Sequence, residues 1–437
     1  MDTTIYQRPV ELLQKLIRFD TTNPPGNERE CIHYIEQLIR GVGMETILLG
    51  EQPERPNLIS RLKGRGNAPP LLLYGHVDVV PTHDQMWDYP AFEGLIIDKT
   101  LWGRGTLDMK GGVAMMLAAF MRAKAEGIQP AGDLIFCALS DEEAHGTHGA
   151  KYLVEEYPEY FEGIKYAIGE FGGFPIYIGQ HKFYLIQVAE KQLCQLKLTI
   201  HGGSGHGAVP LRGGVMAQLG YILKQLDQYP LPIHINLVVK QMLETIAHHL
   251  PEPMNAIFEQ IADPTMSFQT LEGFGSQGRF FESMIRNVVN PTIVSGGTKI
   301  NVIPSEVTLQ MDGRLLPGFT ADDMVTEVRQ IIGNTGQLEI LHYEPVPTPM
   351  NMDKFDLLAS VLKAADPDGT PIPYLMPAVT DGRHFAKLGI QTYGYLPLNL
   401  PPDMNPLQMI HAANERVPVK SIEFGTNVIY DVIRQYQ

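Results

Sequence analysis

The chain has 437 residues, a length at which one hydrophobic core usually gives way to two domains, and we predict two. Hydrophobic residues make up 44% and charged residues 19%, a globular balance that argues against long disordered segments. The formal net charge is −15 and the sequence pI is about 5.4. Because a nucleic-acid binder needs a basic face to displace counterions from phosphates, this charge argues against DNA or RNA as a partner.

Cysteine content and hydropathy predict the compartment. The three cysteines, Cys31, Cys137 and Cys194, cannot all pair, and their spacing matches neither a zinc knuckle nor a CxxC redox motif. We interpret them as free thiols in a reducing compartment. No apolar run is long enough for a membrane span, and charged residues interrupt the first helix where a signal peptide needs an apolar core. The predicted location is the cytoplasm, without a membrane partner.

The first part of the chain alternates helical and strand patterns. Helices are predicted over residues 10–19, 28–42 and 111–125 from apolar residues at helical spacing. Strands are predicted over residues 57–62, 71–80 and 133–139, and the apolar run at 71–74 is typical of a strand buried on both faces. Alternation of this kind predicts an α/β domain with a largely parallel sheet.

The pattern changes near residue 187. Strand-like segments at 188–201 and 298–314 enclose helical segments near 215–226 and within 240–285. This arrangement predicts an inserted α+β domain over residues 188–315. The first domain is then discontinuous, formed by residues 1–187 and 316–437.

A histidine and an acid end the predicted strand at 71–80. His76 and Asp78 are two residues apart, so on a strand their side chains face the same side. Imidazole is a good zinc ligand, and a nearby carboxylate can hold its second ring nitrogen. The pair taken alone fits a polar patch at a strand end equally well.

Further acids and a second histidine are also candidate metal ligands, each with an alternative structural role. Asp108 precedes a predicted helix, where aspartate is also a common N-terminal residue. The segment Ser140-Asp-Glu-Glu-Ala-His145 places consecutive carboxylates at a strand end, where a bound cation would relieve their repulsion and where a solvated acidic loop is the alternative. Glu170 closes another apolar stretch, and His411 lies near the C-terminus. No single segment decides between ligand and surface roles.

Taken together, these segments resemble the M20 metallopeptidases, the group that includes glutamate carboxypeptidase, aminoacylase-1, acetylornithine deacetylase and succinyl-diaminopimelate desuccinylase. The resemblance covers nearly the whole chain, with the motifs in the family's order. Those motifs are Thr21-Thr-Asn-Pro-Pro-Gly-Asn-Glu28, Gly75-His-Val-Asp78, Gly105-Thr-Leu-Asp-Met-Lys-Gly-Gly112, Asp141-Glu-Glu143, Gly297-Thr-Lys-Ile-Asn-Val-Ile-Pro304, Thr380-Asp-Gly-Arg383 and His411. The resemblance implies an α/β zinc-hydrolase catalytic domain with an inserted α+β lid or dimerisation domain.

The resemblance also implies a pair of zinc ions, although cobalt or manganese also suit such sites. His76 and Glu170 would hold one ion. Glu143 and His411 would hold the other, and Asp108 would bridge both. The peptide bond after Asp108 is expected to be cis.

Other site residues are implied in the same way. Asp78 would orient His76, and Glu142 would be the general base. His206, in the inserted domain, would stabilise the oxyanion. Substrate contacts are implied for Asn301, Arg314 and Arg383, since arginine suits carboxylates. For the two arginines, a structural ion pair fits the Asp-x-Arg pattern equally well.

The implied activity is hydrolysis of an amide bond in a small peptide or N-acyl amino acid that carries a free carboxylate. Glu170, where other branches carry aspartate, favours the carboxypeptidase and desuccinylase branches. Alternatives are a biosynthetic deacylase, such as acetylornithine deacetylase or succinyl-diaminopimelate desuccinylase, and a non-catalytic binding member of the fold. The lid would allow a homodimer, but the segment 240–290 is longer than in compact members and leaves dimerisation open.

Overall fold

The structure, a computed structural model, describes residues 2–263, 265, 271, 273, 275–346 and 350–437. The chain divides into two compact units. The first comprises Met1–Val188, Met350–Tyr374 and Thr380–Gln437, and the second comprises Ala189–Pro349 and Leu375–Val379. None of the described helices is both long and apolar enough to cross a lipid bilayer.

The strands are numbered in chain order. They are β1 (Thr46–Leu49), β2 (Asn57–Leu62), β3 (Leu71–His76), β4 (Leu95–Ile97), β5 (Thr100–Trp102), β6 (Leu134–Leu139), β7 (Tyr166–Gly169), β8 (Pro175–Ile178), β9 (His181–Glu190), β10 (Gln192–His201), β11 (Gly205–His206), β12 (Val288–Gly296), β13 (Val302–Ile303), β14 (Glu306–Leu315), β15 (Gln337–Glu344), β16 (Gly369–Met376), β17 (Gln391–Gly394) and β18 (Arg416–Pro418).

The described α-helices are numbered in the same way. They are α1 (Pro9–Ile17), α2 (Arg29–Gly41), α3 (Lys110–Ala125), α4 (Ala150–Glu156), α5 (Val215–Gln228), α6 (Leu237–His249), α7 (Met254–Ile261), α8 (Gly275–Ile285), α9 (Ala321–Ile332), α10 (Phe355–Ala365), α11 (Gly382–Ala386), α12 (Pro406–Met409) and α13 (Val419–Gln435). Short 3-10 turns cover Ile5–Gln7, Glu142–Ala144 and Pro158–Phe161.

The larger sheet has the strand order β1-β2-β6-β3-β7-β17-β9-β16, with β8 paired to β9. Its central strands β6, β3, β7 and β17 run parallel, whereas β1, β2 and β6 pair antiparallel and β17 pairs antiparallel with β9. The predicted α/β class is confirmed. The expectation of a largely parallel sheet is wrong outside this centre, because the outer strands join through antiparallel pairs.

Helices cover both faces of the parallel centre. Every residue of β3 and β6 is buried, as the apolar run at 71–74 predicts. Helix α3 is buried on nearly all sides and packs between β3, α1 and α13. On the opposite face, Leu72, Tyr74 and Ile135 join a core with residues of α4 and α11.

The second unit holds a smaller antiparallel sheet of order β12-β14-β10-β15. Its core joins alternate residues of β10 and β14 to α5 and α9, for example Leu198, Leu309, Ile222 and Met324. We expected the inserted domain to end at residue 315. The second unit instead continues to Pro349, because β15 pairs with β10 and α9 packs on the same core.

Alanine substitutions at two helical glycines should have opposite effects on stability. A Cβ at Gly425, in α13, would lie 2.1 Å from the Pro397 carbonyl oxygen and 2.3 Å from Met115 Sδ, whereas a Cβ at Gly220, in α5, meets nothing within 4 Å. We expect Gly425→Ala to destabilise the first unit by ~1–3 kcal/mol through overpacking. The control Gly220→Ala should stabilise the second unit by ~0.4–1 kcal/mol, because alanine restricts the unfolded chain. Thermal unfolding followed by circular dichroism checks both signs, and equal shifts would contradict the packing argument.

Candidate metal centre

Neighbouring parallel strands bring the predicted ligands together. His76 is the last residue of β3, Glu143 lies just beyond β6, and Glu170 follows β7 directly. Because parallel strands end at the same sheet edge, their following residues converge there. Since β3 ends at His76, Asp78 lies in the loop beyond it, and the expected shared strand face is wrong for this pair.

The first group of candidate ligands consists of His76, Asp108 and Glu170. The Nε2 of His76 lies 3.1 Å from Oδ1 of Asp108 and 3.3 Å from Oε2 of Glu170. His76 is almost fully buried, and both carboxylates are mostly buried. These three ligand atoms therefore face one point at the sheet edge.

The second group consists of His411, Asp108 and Glu143. The Nε2 of His411 lies 3.0 Å from Oδ2 of Asp108 and 3.2 Å from Oε2 of Glu143. Asp108 thus presents one carboxylate oxygen to each group, as a bridging ligand must. The His411 side chain is 52% exposed, so the centre opens to solvent on this side.

Asp78 connects His76 to the acidic loop. The Nδ1 of His76 lies 3.0 Å from the Asp78 carbonyl oxygen and 3.5 Å from its carboxylate. The backbone N–H groups of Glu142 and Glu143 donate to the two carboxylate oxygens of Asp78, each at 3.1 Å. One buried residue therefore holds the ring mainly through its carbonyl oxygen and the loop through its carboxylate.

A second buried network supports the same loop. Asn23 Nδ2 donates to Asp78 at 2.8 Å and to Asp141 at 3.1 Å. Arg55 Nη2 lies 2.7 Å from Glu28 and 2.8 Å from Asp141. Sequence reasoning quoted Asn23 and Glu28 within a motif but gave them no role, because their partners are distant in the chain.

Glu415 fixes the loop that carries Asp108. This buried carboxylate accepts hydrogen bonds from the backbone N–H of Gly105, Leu107 and Asp108, at 3.1, 2.7 and 3.1 Å. Its Oε2 also lies 2.8 Å from Nη1 of Arg104. The sequence offered only one signal, an acid four residues after His411, and that signal does not reveal the donors.

Crowding of carboxylates changes their protonation. Burial, together with the Glu170 carboxylate, raises the pKa of Glu142 well above its ordinary value. Burial and the Asp108 carboxylate raise the pKa of Glu143 to about 7. These shifts express mutual repulsion, which a proton or a cation relieves.

The pKa values of the two histidines are also raised, which favours their positively charged form. Hydrogen bonds with Asp108 and Glu143 raise the pKa of His411 to about 10. Burial disfavours a charged His76, but its bonds with Asp108, Asp78 and Glu170 raise its pKa well above the ordinary value. The cluster therefore favours positive charge at its centre.

This donor set fits a pair of metal ions. Each group offers an imidazole nitrogen and two carboxylate oxygens, and within each group the ligand atoms lie within 4.8 Å of one another. Three protein ligands of these types are typical of a catalytic zinc site, which keeps a position open. The excess of carboxylates over imidazoles favours a divalent cation.

Other predicted site residues lie in the second unit. His206 pairs with Val302 between β11 and β13, and Gly207 N donates to the carbonyl oxygen of Asn301 at 2.9 Å. His206 and Asn301 are therefore neighbours. Arg314, on β14, lies 3.1 Å from the Asp312 carboxylate, as the ion-pair alternative predicts.

Arg383 lies in the first unit and is buried. Its Nη1 donates to the Thr380 carbonyl at 2.7 Å, and its Nη2 donates to the His145 carbonyl at 3.1 Å. These bonds support the loop that carries Glu142 and Glu143. A substrate contact by Arg383 stays a prediction.

A sequence profile of Peptidase family M20/M25/M40 matches residues 72–435. The chain belongs to this peptidase family. Membership confirms the resemblance found in the sequence motifs and makes this M20 chain a metal-dependent hydrolase of amide bonds. The peptide bond between Asp108 and Met109 is cis, as the M20 resemblance implied.

Two relatives and one solved structure illustrate the similarity of this M20 chain. The N-fatty-acyl-amino acid synthase/hydrolase of Homo sapiens is 28% identical over 376 residues, which cover 84% of this chain and 74% of that protein. Probable carboxypeptidase S-like 2 of Dictyostelium discoideum is 28% identical over 382 residues, covering 84% and 71%. An M20 family metallo-carboxypeptidase from Sulfolobus solfataricus has a TM-score of 0.69 at 17% identity, covering 100% of this chain and 99% of that one. That structure shares the fold.

The contacts of Asp78 predict that its substitution weakens metal binding. We expect Asp78→Asn to weaken metal binding about 10–100-fold, because the amide cannot accept from both backbone N–H groups. Competition with a chelator of known affinity measures this loss. The control Asp84→Asn, on an exposed carboxylate, should bind metal like the wild type. Unchanged affinity in Asp78→Asn would contradict the connecting role.

Proposed function

We propose that this M20 chain is a di-zinc hydrolase of amide bonds in small peptides or N-acyl amino acids that carry a free carboxylate. The observation that carries the proposal is the position of Asp108. Its two carboxylate oxygens lie 3.1 Å and 3.0 Å from the imidazoles of His76 and His411, one in each ligand group. We propose His76, Asp108 and Glu170 as ligands of one ion, and Asp108, Glu143 and His411 as ligands of the other.

Glu142 is the proposed general base. When bound, zinc ions supply Lewis acidity and stabilise developing negative charge. Glu142 accepts a proton from the attacking water and donates it to the leaving amine nitrogen. Two observations support this role: its backbone is fixed by Asp78 at 3.1 Å, and burial beside Glu170 raises its pKa, which favours the proton-carrying form between the two transfers.

Residues of the second unit are proposed to act on the substrate. His206 donates a hydrogen bond to the oxyanion of the tetrahedral intermediate. Asn301 and Arg314 bind the polar or carboxylate end of the substrate, with Arg383 as a further proposed contact. The adjacency of His206 and Asn301 across the β11–β13 pair supports a shared role. Arg314 is paired with Asp312 and partly exposed, so part of its side chain is open to solvent.

The substrate's acyl side is proposed to be apolar. A cleft of about 20 Å³ beside Asp108 and Glu170 is lined mainly by apolar side chains, among them Leu107, Met109, Phe171, Phe174, Leu396 and Ile410. Apolar surface of this kind favours a hydrocarbon group over a charged one. The name of the Homo sapiens relative, which specifies an N-fatty-acyl amino acid, supports the same assignment.

A biosynthetic deacylase is the second candidate. Succinyl-diaminopimelate carries a charged acyl group, which the apolar lining of the cleft does not favour, whereas the acetyl group of acetylornithine is small and uncharged and is compatible with that lining. A non-catalytic binding member is the third candidate. The presence of Glu142 beside a complete pair of ligand groups argues against it.

Two further assignments accompany this proposal. We propose a homodimer formed through the second unit, because β12 lies at an edge of the smaller sheet as described and exposes Ile293 and Val294, each about half accessible to solvent.

We also propose a cytoplasmic location. Its support is that Cys31, Cys137 and Cys194 are all buried and unpaired.

Elemental analysis combined with a hydrolysis screen tests the function. About two zinc ions per chain are expected, with chelator-sensitive cleavage of N-acyl amino acids and dipeptides. Substrates with uncharged, apolar acyl groups should be cleaved faster than succinyl substrates. A chain that binds no metal and stays inactive after zinc or cobalt is added would support the binding-member alternative.

If Glu142 is the general base, replacing it should lower turnover and leave metal binding unchanged. Glu142→Ala and Glu142→Gln should keep their metals and fold but lose roughly 10²–10⁴-fold in kcat, since neither side chain transfers the proton. Glu155→Gln, at an exposed acid on α4, is the matched control. Wild-type kcat in the Glu142 variants would remove the assigned base.

The proposed oxyanion role of His206 predicts that its substitution lowers kcat without affecting metal binding. His206→Ala should bind metal normally and lose about 10²–10³-fold in kcat, because one oxyanion donor is gone. His201→Ala, an exposed histidine on the same unit, serves as control. The oxyanion role has to be dropped if steady-state kinetics give the same kcat for His206→Ala and the wild type.

A further inference from the structure

A partly buried glutamine, Gln85, connects two loops around the proposed second metal. Its Nε2 donates to the backbone carbonyl oxygen of His411 at 2.8 Å. Its Oε1 accepts from Nη2 of Arg104 at 2.8 Å. Both hydrogen-bonding ends of the amide are therefore used, one on the backbone of a ligand and one on a buried cation.

Arg104 passes this connection on to Asp108. Arg104 and Glu415 form a buried ion pair, with side chains 1% and 0% exposed and an Nη1–Oε2 distance of 2.8 Å. The other oxygen of Glu415 accepts from the backbone N–H of Asp108 at 3.1 Å. Gln85, Arg104 and Glu415 thus form one continuous network between the backbones of His411 and Asp108.

His411 needs this support more than the other ligands do. Its φ is +62°, a left-handed conformation that residues other than glycine rarely adopt. Its side chain is half exposed, so packing fixes the imidazole only weakly. Gln85 holds the carbonyl of His411, and Arg104 Nη1 donates to the next carbonyl, that of Ala412, at 3.1 Å.

The first metal group lies outside this network apart from Asp108. His76 ends a buried strand, and its Nδ1 lies 3.0 Å from the Asp78 carbonyl. Glu170 directly follows β7, which pairs with β3 and β17. The sheet positions these two ligands, whereas side-chain hydrogen bonds position His411.

We propose that Gln85 is a positioning residue that sets the affinity of the metal held by Asp108, Glu143 and His411. This inference rests on the proposed di-metal function. Gln85 touches neither metal nor substrate and acts through the His411 carbonyl and Arg104. Loss of its hydrogen bonds lets the His411 backbone leave the ligating conformation, so one metal is weakened and the other is retained.

Two variants of Gln85 separate its contacts. Gln85→Met keeps the length of the side chain and removes both hydrogen bonds. Gln85→Glu keeps an acceptor for Arg104 but removes the donor to His411. Gln52→Met is the matched control, since Gln52 is an exposed loop glutamine whose Nε2 lies 3.2 Å from His148, a histidine outside both ligand groups.

Metal binding is measured on the full chain with zinc, by competition against a chelator of known affinity, together with metal content. In both Gln85 variants we expect one site of wild-type affinity and one site weakened about tenfold or more. The metal-free Gln85→Glu protein should melt near the wild-type temperature, because its carboxylate keeps the acceptor for buried Arg104. A lower metal-free melting temperature with both affinities unchanged would indicate a merely structural role and overturn the proposal.

A double variant assigns the weakened site. His411→Ala should itself lose one metal, and adding Gln85→Met should leave the remaining affinity unchanged. A further loss in the double variant would place the effect of Gln85 on the other site and overturn the proposal. If the wild type binds two metals and Gln85→Met binds both normally, this inference fails while the proposed function stands. If the wild type binds no metal, the proposed function fails with it.

Discussion

The candidate metal centre depends on a cluster of negatively charged carboxylates around Asp108. Glu142, Glu143 and Glu170 converge with Asp108 at one sheet edge, where burial raises the pKa values of Glu142 and Glu143. Carboxylates held this way repel one another unless positive charge lies between them. The two imidazoles supply part of that charge, each about 3 Å from its own oxygen of Asp108. Divalent cations at the same points would supply the rest, so the repulsion between these carboxylates favours metal binding.

Two carboxylates that join neither ligand group keep the ligands in place. Asp78 accepts from the backbone of the acidic loop and lies against His76. Glu415 accepts from the backbone of the Asp108 loop and pairs with Arg104. Each is buried, and each is satisfied by several donors, as a buried charge must be. The fold therefore uses acids in two ways, as proposed ligands at the centre and as acceptors that hold the loops carrying them.

The motifs that resemble the M20 family pointed to the candidate ligands, but no sequence pattern pointed to the residues that surround them. His76 ends a strand, and Glu143 and Glu170 each follow one, with the apolar run of each strand visible in the sequence, so their convergence could be expected. The role of Glu415 could not, because its backbone donors lie 307 to 310 residues earlier in the chain. The strand pairings were also out of reach, since β17 joins β7 from a distant segment. The boundary near residue 315 was misplaced because β15 and α9 have the same α/β pattern as the first unit, and only their pairing and packing assign them to the second.

The central claim is that Asp108 bridges two metal ions. A crystal structure of the zinc-loaded protein, with anomalous diffraction data collected at the zinc absorption edge, tests this claim most directly. The account predicts two anomalous peaks per chain, roughly 3.5–4 Å apart, one on each side of the Asp108 carboxylate. One would lie against His76 and Glu170, and the other against Glu143 and His411. A single peak, or peaks away from Asp108, would contradict the account.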